Sequence, residues 1–357
     1  MSRPTTAHIR LSALLHNYRL SKALSGGKSL AVIKANAYGH GAVQCAQAIQ
    51  HEADGFAVST LEEAAQLREA GIQNPIVLLE GFFDAAELPR IVELNCWIVV
   101  HATWQVEALT KADLSKPLKI WLKMDSGMHR LGFSPKELLS SYQQLSVHQN
   151  VSGIVAMTHF ANADNLASPH TAHQIAQFGE SVKNLPINTV SLANSAAILR
   201  KTPLLNSSQW VRPGIMLYGA DPLWAQQPTA ELLPVMQLTS KIIAIQQVKA
   251  GEAIGYGSIF TVQRDSKIGV VACGYADGYP RSAINAPAAV NGVMAKLVGR
   301  VSMDMLFVDV TDIPSAEVGA TVELWGDQVS ANLVAAAANT IAYELFCNVK
   351  RVKFTYS

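Results

Sequence analysis

The chain predicts an α/β protein: an N-terminal (β/α)8 barrel of the TIM type followed by a mainly β domain. Two observations carry this reading. From residue 30 to about 215, short apolar runs of strand character alternate with helical patterns, a spacing that suits eight parallel strands closed into a barrel. After about residue 230 the runs are separated by turn residues and helical patterns become scarce, the texture of a mainly β domain. Alternation by itself also fits an open, doubly wound sheet. The division expected is residues 1–230 for the barrel and 231–357 for the β domain.

The expected barrel strands are Leu30–Lys34, Gly55–Val58, Ile76–Leu79, Trp97–Val100, Leu118–Met124, Ser152–Thr158, Ile187–Leu192 and Trp210–Pro213. Helical patterns lie between them. Thr60–Ala70 carries Glu62 and Glu63 in its first turn, and Ser134-Pro135-Lys136-Glu137 offers a cap, a proline at the first helical position and an acid at the third. The segment Ala220–Pro234, with three prolines, reads as the linker. Beyond it Leu238–Val248, Ile268–Cys273, Ala295–Val298 and Met305–Val310 read as strands, before a helical pattern over Ser330–Tyr343.

Composition narrows the function classes. The 357 residues are 49% hydrophobic and 15% charged, as in an ordered globular protein with a sizeable core. The net charge is +1 and no basic stripe appears, so nucleic acid is not an expected partner. Apolar runs such as Ala335–Ala338 are too short to span a bilayer, and the first residues lack the apolar core of a secretory signal. The cytoplasm is the expected compartment. Cys45, Cys96, Cys273 and Cys347 stand far apart, which suits neither a zinc site nor a disulfide framework.

Out-of-place polar residues fall at the ends of the expected strands: Lys34, Lys123, His159, Asn194 with Ser195, and Arg212. In a barrel these ends converge on the face where active sites are built. Lys34 is the leading candidate. An amine at the mouth of an apolar pocket has its charged form disfavoured, and the neutral amine is the form that condenses with a carbonyl. The plain alternative is a lysine extending into solvent along its own stem. Arg130, in Lys123–Gly132, is suited to a two-pronged grip on a carboxylate, or else pairs with Asp125. Arg212-Pro213-Gly214-Ile215 joins an arginine to a glycine through which backbone amides can approach an anion. Asn194-Ser195 is equally a helix cap. In the second domain Tyr256 sits between glycines; its default reading is packing, since a phenol is a poor base without a positive neighbour.

Together these segments resemble a known family, the pyridoxal-phosphate-dependent alanine racemases, over essentially the whole chain. The motifs are AVIKANAYGHG, KMDSGMHRLGF, THFANAD, ANSAA, RPGIMLYG, GYGS, CGYADGYPR, GRVSMDM and TIAYEL, in order. The resemblance implies that Lys34 carries pyridoxal 5'-phosphate covalently and acts as one of two bases. Tyr256 would be the second base, donated by the partner chain of a head-to-tail homodimer. Arg212 would hydrogen-bond the pyridine nitrogen, while Tyr38, Ser195, Gly214, Ile215 and Tyr343 would hold the phosphate. Arg130 would contact the cofactor hydroxyl and the substrate carboxylate, helped by the backbone amide of Met303. His159 would link Arg212 to Tyr256. Asp164, Tyr275, Arg281 and Arg300 would line a narrow entrance. Lys123 would match a lysine carbamylated in many members.

The implied reaction is interconversion of L-alanine and D-alanine, supplying D-alanine for peptidoglycan or serving alanine catabolism. No metal is implied. The alternatives are a racemase of broader specificity, a non-catalytic cofactor carrier, and a decarboxylase of basic amino acids, which an arginine at the ring nitrogen argues against.

Overall fold

The computed structural model describes residues 3–202, 208–228 and 231–357. Residues 229 and 230, within the expected linker and at the expected domain boundary, lie outside the described residues.

Eight parallel strands close into a barrel: β2 (Lys28–Val32), β3 (Gly55–Val58), β4 (Ile76–Leu78), β5 (Cys96–Val100), β6 (Leu118–Lys123), β7 (Val151–Met157), β8 (Thr189–Ser191) and β9 (Ser208–Val211). The last strand returns to the first, with Lys28 opposite Trp210. Strands such as β3 and β4 are covered on both faces: Phe56, Ala57 and Val58, and Ile76, Val77 and Leu78, are successive and all fully buried, which is why they read as unbroken apolar runs rather than alternating ones. The open doubly wound alternative is thereby excluded.

The helix caps follow the sequence. Helix Leu61–Glu69 starts at Thr60, whose hydroxyl accepts from the Glu63 amide while Glu63 accepts from the Thr60 amide. Ser134 and Glu137 close the same reciprocal pair ahead of Pro135–Leu145.

The other large sheet is mostly antiparallel. It contains β10 (Met236–Val248), β13 (Ser266–Val271), β14 (Pro287–Val290), β15 (Val293–Leu297), β16 (Leu306–Asp309) and β17 (Thr321–Trp325), and an extra β10–β13 pairing turns the order back on itself. A short hairpin, β11 (Ala253–Ile254) with β12 (Phe260–Thr261), stands apart. One strand crosses the expected division. β1 (Thr6–Ile9), expected with the barrel, pairs antiparallel with β10 and parallel with β18 (Lys353–Tyr356). The C-terminal helical pattern is two helices, Ala331–Ala337 and Ala342–Asn348. Among the described residues no helix is long and apolar enough to cross a membrane.

Candidate active site

The ends of β2, β6, β7, β8 and β9 converge as a barrel requires. Lys34, Lys123, His159, Asn194 with Ser195, and Arg212 line one cavity of about 600 Å³. Tyr38, Arg130, Gly214, Ile215 and Tyr343 line the same cavity. Leu79, Glu80, Leu131, Met157 and Cys347 complete parts of its wall and were not expected there.

The backbone after Lys34 is unusual. Ala35, Asn36, Ala37 and Tyr38 all lie in the left-handed region, with φ between 51° and 53°. Each non-glycine residue held so costs roughly 1–2 kcal/mol, so the surroundings must impose the turn. The Ala37 amide donates to Ile33 O at 2.8 Å and the Gly41 amide to Asn36 O at 3.0 Å. Asn36 accepts from the Ala42 amide at 2.9 Å, and Glu63 accepts from the Ala35 amide at 2.6 Å. Gly39, at φ +79°, runs so close to the Phe346 carbonyl that no side chain fits there. Of these four residues only asparagine adopts the left-handed region readily, so the types Ala-Asn-Ala-Tyr do not announce a four-residue left-handed turn.

Opposite this turn, the Ser195 hydroxyl accepts from the amides of Gly214, at 2.9 Å, and Met216, at 3.3 Å. Asn194 is the helix cap, accepting from the Ala197 amide at 3.1 Å. The Tyr38 phenol lies over Gly214, and its ring stacks on Tyr218 at 4.8 Å between centroids. Burial raises the pKa of both Tyr38 and Tyr343 well above the usual phenol value, so each stays a hydrogen-bond donor.

Arg212 is buried and held through both of its terminal nitrogens. It donates to the Ser191 hydroxyl, to Thr158 O at 2.6 Å, to Leu192 O at 3.3 Å and to His159 Nδ1 at 3.2 Å. Burial lowers its pKa to about 10, still well above neutrality. His159 is held neutral by burial and then by the neighbouring charges of Arg212, Lys123, Arg130 and Lys34. The same desolvation, followed by Arg212, Arg130 and Lys34, brings Lys123 down to about 8. Arg130 does not pair with Asp125, which instead accepts from the amides of Gly127, Met128 and His129. Ser191, Thr158 and the buried Gln174, which donates to His159 O at 3.0 Å, support this cluster and escaped the sequence reading. For Ser191 and Thr158 the position at a strand end was the available signal, whereas Gln174 lies within the helix His170–Val182.

The remaining candidates stand elsewhere in the chain. Asp164 lines an adjoining cavity of about 490 Å³ that shares Arg130, His159, Ile215 and Tyr343 with the first. Tyr256, Met303, Tyr275, Arg281 and Arg300 line neither. Tyr256 is 65% exposed, presented between Gly255 and Gly257, both at positive φ. The Arg281 guanidinium lies over the Tyr275 ring at 5.5 Å and donates to Val301 O. The loop carrying Tyr275 is bonded to that carrying Met303, with the Ala276 amide donating to Met303 O at 2.9 Å.

A family profile described as "Alanine racemase, N-terminal domain" matches residues 9–222, and one described as "Alanine racemase, C-terminal domain" matches residues 235–356. The chain belongs to the alanine racemase family. It is 54% identical to "Alanine racemase, catabolic" of Pseudomonas putida, an alignment covering 99% of each chain. Among solved structures it superposes on the biosynthetic alanine racemase of Pseudomonas aeruginosa with a TM-score of 0.95 at 46% identity, again over 99% of each chain. It is also similar to the alanine racemase of Bartonella henselae, solved with covalently bound pyridoxal phosphate, with a TM-score of 0.88 at 31% identity over 99% of both. The family's enzymes are isomerases that depend on pyridoxal phosphate.

Proposed function

We propose that the chain interconverts L- and D-alanine with pyridoxal phosphate held at Lys34, using Lys34 and the Tyr256 of a second copy as its two bases. The observation that carries this is the meeting of the Lys34 amine, the Arg212 guanidinium, the Ser195-anchored loop and Arg130 in one cavity. The residues suit the cofactor. Arg130 lines the cavity with a guanidinium suited to a carboxylate, and the Lys34 amine lies in the same cavity. Gly214 lets the Tyr38 phenol lie against its backbone, where a Cβ would come within 2.7 Å of the hydroxyl oxygen. Tyr38, Tyr343, Ser195 and the Gly214–Ile215 backbone would hold the phosphate, and Arg212 the pyridine nitrogen.

When bound, pyridoxal phosphate supplies an electron sink for the negative charge left at the substrate Cα. Arg212 tunes that sink by donating a hydrogen bond without giving up its proton, because its pKa stays at about 10. Arg130 holds the substrate carboxylate and so fixes which faces of Cα meet the bases. Racemisation needs a proton removed from one face and returned to the other. The Lys34 amine serves one face. The Tyr256 phenol, exposed in a single chain, serves the other when a second copy brings it over the cavity, with Met303, Tyr275, Arg281 and Arg300 of that copy beside it. Supply of D-alanine and alanine catabolism both use this same reaction.

Exchange of the alanine Cα proton in deuterated water tests the reading. The purified protein is expected to show the visible band of lysine-bound pyridoxal phosphate and to exchange the proton from either enantiomer. Lys34→Ala is expected to lose both, and a variant that keeps both refutes the assignment. Colour without exchange points to a carrier, carbon dioxide release to a decarboxylase, and equal turnover of larger amino acids to a broad-specificity racemase.

A further inference from the structure

His40 closes the left-handed turn and takes no part in the chemistry described so far. It is fully buried. Its Nδ1 lies 3.0 Å from Ala37 O and 2.9 Å from Tyr38 O, and its own amide donates to Ala37 O at 3.0 Å. Carbonyl oxygens only accept, so Nδ1 must carry a hydrogen. Burial pushes the pKa of His40 down to about 4, which leaves the ring neutral at ordinary pH with an unprotonated Nε2. That Nε2 is buried without a hydrogen-bond partner. A ring whose polarity were incidental would be better replaced there by a phenyl group, since an unpaired buried nitrogen costs free energy.

The ring is also clamped on two sides. It lies 4.5 Å from the Tyr218 ring and meets Phe346 edge-on at 5.0 Å. Tyr218 in turn stacks on Tyr38 and donates its hydroxyl to Val32 O at 2.9 Å, just before Lys34. His40, Tyr218 and Tyr38 therefore form a column of rings behind the segment that faces the cavity.

We propose that His40 is a positioning residue: its Nδ1–H, shared between the Ala37 and Tyr38 carbonyls, locks the left-handed turn that aims Lys34 and Tyr38 into the cavity. The proposal rests on the reading of Lys34 and Tyr38 as the groups that hold pyridoxal phosphate. Without this donor the two carbonyls lose their common partner, and the turn is free to relax toward backbone angles that suit alanine and tyrosine. The Lys34 amine and the Tyr38 phenol then lose their common register. The cost should fall on cofactor capture and not on substrate capture, because Arg130 belongs to a different loop.

The test compares His40→Phe, which keeps a ring and removes the donor, with His40→Asn, which restores a short N–H donor. Pyridoxal phosphate is titrated into each apoprotein by its visible band, and KM for alanine is measured at saturating cofactor. His40→Phe is expected to weaken cofactor binding by about tenfold, the scale of one lost buried hydrogen bond. KM is expected to stay within about twofold, and His40→Asn to recover most of the affinity. Affinity within twofold of the parent in His40→Phe overturns the proposal. The imidazole ¹H–¹⁵N spectrum of the unmodified protein is an independent check that needs no variant to fold. A neutral Nδ1–H tautomer is expected, and an Nε2–H tautomer overturns the proposal. Absence of the cofactor band in the unmodified protein would instead refute the reading of Lys34, leaving the tautomer result to stand or fall alone.

Discussion

The Arg212 guanidinium donates from Nη2 to Nδ1 of His159 across 3.2 Å. This contact sets the state of both groups. His159 must accept at Nδ1, so when neutral it carries its proton at Nε2, and burial, followed by the nearby cations, keeps it neutral. Arg212 is held at four points, which a lysine ammonium on a flexible stem cannot reproduce. Arg212→Lys is therefore expected to keep the charge and the fold but lose about 10- to 100-fold in kcat. Steady-state kinetics alongside circular dichroism decide it, and a variant with unaltered kcat would show that geometry at this guanidinium is dispensable.

Gly214 and Tyr38 form a second coupled pair. A Cβ on residue 214 would lie 2.7 Å from the Tyr38 hydroxyl oxygen, closer than the two atoms can approach. Gly214→Ala is expected to displace the phenol and weaken pyridoxal phosphate binding about tenfold. Combining it with Tyr38→Phe removes the clashing oxygen, so the double variant should lose less than the two single losses multiplied. Cofactor titrations of the four proteins give the coupling directly, and strict multiplicativity would deny the contact.

The proposed sharing of the site between copies has an arithmetic signature. Lys34→Ala and Tyr256→Phe are each expected to be inactive. Mixed and reassembled at random, half the dimers are hybrids with one intact site apiece, so about one quarter of the parent activity should return. No recovery after demonstrated subunit exchange would place both bases in one chain.

Lys123 carries the pH prediction. Its pKa in the folded protein is about 8, against an ordinary value of 10.5, so a sizeable fraction of the amine is neutral near physiological pH and able to add carbon dioxide. Native mass spectrometry in bicarbonate is expected to show one added carbon dioxide, absent from Lys123→Ala. In carbon-dioxide-free buffer the unmodified amine gives a signed effect. The folded state resists protonation, so the penalty is complete below pH 8 and fades as pH rises toward 10.5. Denaturant midpoints of the parent should therefore rise relative to Lys123→Met across that window. Parallel curves would mean that Lys123 is not desolvated.

The barrel was legible because strands such as Gly55–Val58, Ile76–Leu78 and Cys96–Val100 are apolar runs spaced by helical patterns, and because out-of-place polar residues follow several strands. The same logic reached Lys34, Lys123, His159, Ser195 and Arg212. It failed where the cause is distant in sequence. Thr6–Ile9 forms a strand only because Met236–Val248 and Lys353–Tyr356 flank it, and four residues carry little pattern of their own. The left-handed turn is braced by Glu63 accepting from the Ala35 amide, by Asn36 accepting from the Ala42 amide and by the Phe346 carbonyl crowding Gly39, while Ala35 and Ala37 favour the opposite hand. Ser191 and Thr158 matter only through Arg212, which donates to the hydroxyl of the first and the backbone carbonyl of the second. Tyr256 is singled out by its motif alone, since nothing in one chain brings it to the cavity.

The placement of Thr6–Ile9 bears on how the molecule is made and how it comes apart. The strand lies between Met236–Val248 and Lys353–Tyr356, so the barrel is threaded as one long excursion between neighbours in the other sheet. During synthesis the barrel strands all precede Met236 and can close early, whereas Thr6–Ile9 waits with open edges until both partners leave the ribosome. A protease nick between residues 222 and 235 would likewise cut the backbone without freeing two halves, because that first strand still buckles one to the other.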